Sequence, residues 1–341
     1  MKKRLLVLIL ILSLVLGGCG NAAPEKSQYT ATFLTLFDTI TTVIGLAQSE
    51  EAFSQQAQAV HDELEIYHRL FDIYHDYAGI SNLKTVNDNA GIAPVAVDPI
   101  IISLLKDCKA YYDLTGGKVN VAMGSVLRLW HEARNDSVND PMNAYLPDAD
   151  ALAEAEKHTG WDTILIDAEA GTVFITDPEQ LLDVGAVAKG WAAQRVAEHA
   201  PEGLLISVGG NVCATGPKNA EGTPWVVGIT DPEGGEEYLH TLYLSRGSVV
   251  TSGDYQRYYL VDGVQYHHII DPATLYPSVY WCSVTVICED SGLADALSTA
   301  LFVLPQAEGQ ALLTACGAEA MWVDREGEFY YSPGFEETIR N

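Results

Sequence analysis

The chain has little positive charge. Lys and Arg total 19 of its 341 residues against 46 Asp and Glu, for a formal charge of −27. A body this acidic repels nucleic acid and anionic lipid surfaces, which excludes both as partners held by a basic patch. Useful cysteine pairs are also missing. Cys108, Cys213, Cys282, Cys288 and Cys316 are odd in number and none forms a CxxC motif, so no disulfide framework and no zinc site is indicated. Cys282 and Cys288 share one extended stretch, where a separation of roughly 20 Å forbids a bridge. All five read as small buried hydrophobes. The dinucleotide fingerprint GxGxxG is absent. There is no internal repeat, no low-complexity segment and no apolar run long enough to span a bilayer.

What is present begins with a leader. Lys2, Lys3 and Arg4 precede an apolar run from Leu5 to Leu16, broken only by Ser13. That run has the length of a signal-peptide core rather than of a membrane span. Leu16-Gly17-Gly18-Cys19 resembles the bacterial lipobox, in which small residues admit the signal peptidase and the cysteine thiol takes the lipid. The expected organisation is a signal peptide over 1–18, a lipidated Cys19, a polar tether over 19–30 and one domain over 31–341. The protein is then expected on the outer, extracytoplasmic face of the cell membrane, held by its lipid. Without the three basic leader residues the charge becomes −30. A nucleotide diphosphate would be repelled by such a body unless a cation screened it, which directs attention to a divalent metal.

Hydrophobic periodicity predicts a strand or hairpin over 33–47 and helices over 49–74, 99–114, 149–158 and 291–304. The polar stretch 131–148 reads as a loop. Short strands dominate from Thr163 onward, at 163–167, 172–176, 204–208, 225–230, 239–244, 257–261, 265–270 and 281–288. Strands and helices are interleaved without regular βαβ alternation, which predicts an α+β fold with mixed or antiparallel sheets and packed helices. About 320 residues is long for one core, so one large domain or two closely joined lobes is expected.

One stretch organises the rest, LLDVGAVAKGWAAQRVAE at 181–198. It reads as a strand end, a turn through Asp183 and Gly185, and a helix with Val184, Val187, Trp191, Ala192 and Val196 on its apolar face. A strand feeding a helix through a glycine turn presents backbone N–H groups to an anion, and Lys189 adds charge there. A second reading makes Asp183 a helix cap and Lys189 a solvated cation. Farther on, LISVGGN at 205–211 ends a strand in two glycines, where a flat ligand can approach the backbone. TSGDYQR at 251–257 reads as a turn. In YHHIIDPATLYP at 266–277, strand alternation sends His267 and His268 to opposite faces, so at most one enters a given site. An imidazole there suits a general base. In LADALSTALFVL, Asp295 and Thr299 lie four residues apart on one helix face, with Ser298 adjacent; these hard oxygen ligands suit magnesium. A capping role for Asp295 is the competing reading. His68, on the apolar face of the 49–74 helix, reads as a packed histidine.

In this order these stretches resemble the ApbE family of FAD:protein FMN transferases. The resemblance is most specific in DVGAVAKGWAAQRV, SVGGN, TSGDYQRYY with YHHIIDP, and ADALSTALFVL. It implies that Asp183 and Lys189 contact the flavin nucleotide and that the Ala186 carbonyl, Asp295, Thr299 and neighbouring Ser298 hold Mg²⁺. It further implies that Ile270 lines the flavin pocket and that His268 activates the acceptor hydroxyl. Phe37-Asp38-Thr39 stands where the family usually has Met-Gly-Thr, Tyr74 falls in a flavin-contacting region, and Lys118-Val119-Asn120 occupies a flavin contact where many members carry Asp. FAD is then a substrate, Mg²⁺ the cofactor, and the acceptor a Thr or Ser of an exported domain of a membrane redox complex. AMP is the leaving product. Two other functions fit the same features: a Mg²⁺-dependent FAD pyrophosphatase, and a non-enzymatic lipoprotein that captures a flavin or another solute.

Overall fold

The structure, a computed structural model, describes residues 26–235 and 237–340. Its frame is one antiparallel sheet whose eight strands lie side by side in chain order: β1 (Ser27–Leu36), β2 (Thr39–Ala47), β3 (Leu204–Val208), β4 (Asn211–Ala214), β5 (Gly247–Gly253), β6 (Ser283–Cys288), β7 (Glu319–Val323) and β8 (Phe329–Tyr331). The helices enter as insertions between neighbours: α1 (Glu50–Phe71), α2 (Pro99–Leu114), α3 (Gly124–Asn139), α4 (Ala188–His199), α5 (Ser291–Phe302) and α6 (Gln306–Cys316). The arrangement is α+β, as the irregular interleaving predicts.

Period-2 alternation lets both faces of the sheet carry a core. On β3, Leu204 and Ile206 pack under α1 and α4, while Leu205 faces a hairpin of Trp225–Thr230 and Tyr238–Leu244 on the other side. On β7, Ala320 and Trp322 join α5 and α6, whereas Met321 and Val323 join that hairpin. The result is helices, sheet and hairpin in three layers.

Several expectations need correcting. The chain from 131 to 139 is helix, not loop, because it belongs to α3. Val126, Trp130 and Ala133 form the buried stripe, and the polar residues that suggested a loop are its solvent face. Leu181 and Leu182 form no strand: the Gly124 amide donates to the Leu181 carbonyl, and Asn87 pairs with the Leu182 backbone through both amide atoms. The Asp183 amide donates to Val121. Thr251–Gly253, read as a turn, closes β5, and β1 begins at Ser27, within the stretch read as tether. Cys19 and the leader lie outside the described residues. The remaining cysteines are free thiols; Cys108, Cys213 and Cys288 are buried as expected, but Cys282 and Cys316 are only half-buried.

Helix α1 ends at Phe71 rather than Tyr74 because the Asp72 carboxylate takes the Tyr74 and His75 amides. Helix α4 starts at Ala188, and Val187 rather than Asp183 occupies its cap position. Asp183 instead closes a local turn, accepting from the Gly185 amide at 2.8 Å.

The crossing of α4 and α5 is set by Gly190. A Cβ at this position would lie 2.4 Å from both Asp295 Cβ and the Ser291 carbonyl oxygen. Gly190→Ala is therefore expected to force the two helices apart and cost at least about 2 kcal/mol, a typical overpacking penalty. Gly160→Ala is the control, because nothing lies within 4 Å of its Cβ position. It should stay within about 0.5 kcal/mol of wild type. Urea unfolding of both variants checks this; equal midpoints would refute the close-packing argument.

Candidate active site

The site lies at one end of the sheet, where two hairpin tips and two helices meet. The β1–β2 connection is the two-residue turn Phe37-Asp38, with φ of +52° at both positions. The β3–β4 connection is Gly209-Gly210, with φ of +59° and +92°. Two consecutive left-handed residues match the twist of the flanking strands, and glycine supplies them freely in the second turn. The first turn uses two residues with side chains. The tips touch: the Gly209 amide donates to the Ile40 carbonyl, and a Cβ on Gly209 would lie 2.7 Å from Thr39 Oγ1.

Beside these tips is a cavity of about 430 Å³, within the range of small-molecule sites. It is lined by Phe37, Tyr74, Lys118, Val119, Asn120, Asp183, Ala186, Lys189, His268, Ile270, Asp295 and Thr299. Every sequence-nominated residue within the described residues is therefore at this one cavity, apart from Ser298. The Ser298 hydroxyl is fully buried behind the wall, bonded to the Asp295 carbonyl and at 2.8 Å to the Ser252 hydroxyl.

Asp295 is 4 % exposed and takes the Gly190 amide on Oδ2 at 2.8 Å. Burial raises its pKa, while Lys189, the Gly190 amide and the Asn211 amide oppose that rise. The Asn211 amide nitrogen is buried and has no other hydrogen-bond partner among the described residues. Thr299, one turn after Asp295, leaves its hydroxyl without a hydrogen bond among the described residues. A buried carboxylate, a free hydroxyl one turn on, and the backbone at Ala186 form an oxygen-rich donor set that fits a hard divalent cation. Lys189 extends to within 3.4 Å of the Gly185 carbonyl.

The opposite wall comes from the 118–123 segment and the 266–277 turn. Lys118 Nζ lies 3.1 Å from Asp271 Oδ1 and so ties the two together. Asn120 is structural here: its oxygen accepts from the Ala122 amide and its nitrogen donates to the Thr159 carbonyl.

The adjacent histidines separate as strand alternation requires. His267 is 2 % exposed, with Nε2 donating to the Ser278 carbonyl and Nδ1 accepting from the Ile269 amide. His268 faces the cavity, and its Nδ1 lies 3.2 Å from the Arg257 carbonyl. Because a carbonyl only accepts, Nδ1 carries the proton and Nε2 keeps a free lone pair. Burial and the nearby cations Arg257 and Lys189 depress the His268 pKa to about 3.

Sequence reasoning missed His131, Arg257, Asn211, Asp38 and the cavity-facing position of His68. His131 stands 3.0 Å from the Tyr74 hydroxyl and 4.0 Å from Asp183. Its signal was the helical spacing Met123–Leu127–His131, hidden by the loop reading. Arg257 and Asn211 lie in TSGDYQR and LISVGGN, where neither residue type alone signals a ligand.

Comparison with known proteins follows the same lines. The ApbE family profile matches residues 36–322. The FAD:protein FMN transferase of Treponema pallidum (strain Nichols) is 33% identical, over 99% of this chain and 95% of the relative. That of Klebsiella pneumoniae (strain 342) is 32% identical, over 74% of this chain and 79% of the relative. The crystal structure of the ApbE protein from Thermotoga maritima superimposes with a TM-score of 0.81 at 31% identity, covering 92% of this chain and all 100% of that one.

The His267 geometry has a pH consequence. Burial, with a smaller contribution from the charge of Arg325, lowers its pKa from 6.5 to about 4 against the opposing Ser278 hydrogen bond. The unfolded chain then binds the extra proton, so this residue's contribution is complete above pH 6.5 and is lost as the pH falls toward 4. The loss is up to about 3 kcal/mol. In His267→Gln this part of the acid sensitivity should vanish. Urea midpoints at pH 7 and 4.5 measure it, and an identical pH slope in the variant would refute the assignment.

Proposed function

The chain belongs to the ApbE family, and from that premise we propose that this flavin transferase moves FMN from FAD onto a Thr or Ser hydroxyl of a target protein, releasing AMP. One observation carries the reading. A buried carboxylate (Asp295) with a half-buried hydroxyl one turn on (Thr299), a cation (Lys189) and an imidazole with a free Nε2 (His268) converge in a single cavity. A simple flavin carrier has no use for the imidazole, whereas attack on phosphorus does.

Asp295, Thr299 and the Ala186 carbonyl would hold Mg²⁺, which when bound neutralises charge on the diphosphate and on the leaving AMP. The chain's own residues supply the rest. Lys189 meets the diphosphate, and the Phe37, Tyr74 and Ile270 side chains offer apolar contact to the flat ring. The acceptor hydroxyl attacks the phosphorus nearer the flavin and gives its proton to His268 Nε2. The bond to the AMP oxygen breaks, and FMN remains as a phosphoester on the target. An anionic diphosphate placed against Lys189 and Arg257 would offset the cationic part of the His268 pKa depression, leaving the larger part that comes from burial. We place the protein outside the cytoplasm, anchored through a lipid on Cys19, with its acceptor in an exported domain of a membrane redox complex.

Intact mass of a candidate acceptor, after incubation with the protein, FAD and Mg²⁺, should rise by one FMN while AMP appears. His268→Ala should retain FAD binding while transfer falls by about 10²–10⁴-fold, and Asp295→Asn should abolish both transfer and AMP release. Activity undiminished in EDTA or in Asp295→Asn would overturn the metal assignment. AMP release without any gain in acceptor mass would identify water as the acceptor and overturn the transferase reading.

The anchor has a separate test. Cys19→Ala should move the protein from the membrane fraction to the soluble fraction with specific activity unchanged. A wild-type protein found soluble, with Cys19 unmodified, would refute the anchor.

A further inference from the structure

The turn Phe37-Asp38 is expensive for what it is. Phe37 carries a bulky side chain at φ +52°, where a left-handed backbone costs an L-residue roughly 1–2 kcal/mol; Asp38 shares that φ but is of a type that tolerates it. Something outside the turn must hold it, and the contacts show what does. The Phe37 amide donates to His68 Nδ1 at 3.2 Å, and the two rings meet edge to face at 5.6 Å. His68 sits in the last turn of α1.

The contact does not end at His68. With Nδ1 accepting, the proton is on Nε2, which lies 3.4 Å from the Tyr77 hydroxyl. That hydroxyl donates to Asp72 Oδ2 at 2.8 Å. The other Asp72 oxygen receives the amides of Tyr74 at 2.7 Å and His75 at 3.0 Å. One chain of polar contacts therefore runs from the backbone under Phe37 to the backbone under Tyr74. These two aromatic side chains both line the cavity.

We propose that His68 is a positioning residue, which through Tyr77 and Asp72 holds the strained Phe37-Asp38 tip and fixes the gap between Phe37 and Tyr74 as a slot for a planar aromatic ring. The inference rests on the flavin reading above, since it assigns that slot to the ring of the flavin. The residue touches no reacting atom; it acts by pre-paying the ordering of the slot. Burial lowers the His68 pKa, which keeps Nδ1 unprotonated as the Phe37 contact requires.

The test uses the full chain and FAD, with binding followed by calorimetry and turnover by AMP release. His68→Leu removes the acceptor for the Phe37 amide, worth about a five- to tenfold loss of FAD affinity and a matching rise in KM, with kcat within about twofold of wild type. Asp38→Gly supplies the second left-handed position of the turn without strain. In the His68→Leu background it should recover most of the lost affinity, more than the same substitution changes the wild type. Tyr77→Phe should show a smaller loss in the same direction. If His68→Leu binds FAD as well as wild type, or loses affinity that Asp38→Gly does not recover, the positioning role is wrong. A loss of kcat alone would also refute it. Failure of the wild-type protein to bind FAD at all would instead overturn the functional reading on which the slot rests. Thermal midpoints of all variants identify any that fail to fold; for those, Tyr77→Phe, which leaves the turn and His68 in place, decides.

Discussion

The contact from the Gly190 amide to Asp295 is the constraint on which the site depends. A carboxylate as buried as Asp295 is costly unless it is satisfied, and here a backbone amide from another helix reaches it at 2.8 Å. That reach requires α4 and α5 to approach to a distance no side chain at position 190 would allow. The same approach brings Lys189, in the first turn of α4, to the face of α5 that carries Asp295 and Thr299. The charged wall of the cavity is thus a by-product of one close helix crossing. Helix packing, carboxylate burial and anion attraction are three aspects of a single contact.

The opposite walls are mounted on the sheet. Because the strands follow one another antiparallel in chain order, their connections alternate between the two ends. The tips Phe37-Asp38 and Gly209-Gly210 fall at the same end and touch. Tight turns there leave no slack, so side chains at the tips are placed by the ladder beneath them. Long insertions carry the remaining walls, and single contacts tie these back: Lys118 to Asp271, His268 to the Arg257 carbonyl, Asn87 to the backbone of Leu182. A rigid sheet end with pinned insertions meets the need of a site whose parts come from distant points in the chain.

Much of this was readable in the sequence where periodicity and chemistry coincide. Asp295 and Thr299 share a helix face by arithmetic alone, and the alternation of His267 and His268 correctly sends one into the core and the other to the cavity. What stayed hidden has physical reasons. Helix α3 was read as loop from His131 onward because its solvent face is crowded with Glu132, Asn135 and Asp136, and His131 was lost with it. The extended backbone at 181–182 has the composition of a strand, but its partners are the side chain of Asn87 and the amide of Gly124, which no local pattern reveals. The left-handed turn at Phe37-Asp38 carries neither Gly nor Asn, the residues by which such turns are recognised. Its support, His68, comes from a helix face where a packed histidine was the simpler reading.

The acidity that opens the sequence analysis also bears on the chemistry. In a chain of formal charge −27, Lys118, Lys189 and Arg257 gather at one cavity; Lys118 is paired with Asp271, whereas Lys189 and Arg257 have no carboxylate partner in salt-bridge range among the described residues. Cations left unpaired in an acidic protein are held ready for an anion from outside. Burial first, and then the charges of Arg257, His267 and Lys189, hold the His268 pKa at about 3, which makes the imidazole a poor base at neutral pH. On the proposed function, a diphosphate between Lys189 and Arg257 would offset the part of that depression due to the two cations, while the larger part due to burial would remain. If His268 is the base, as proposed, part of its basicity would then return when the diphosphate binds, through two cations placed beside one neutral imidazole.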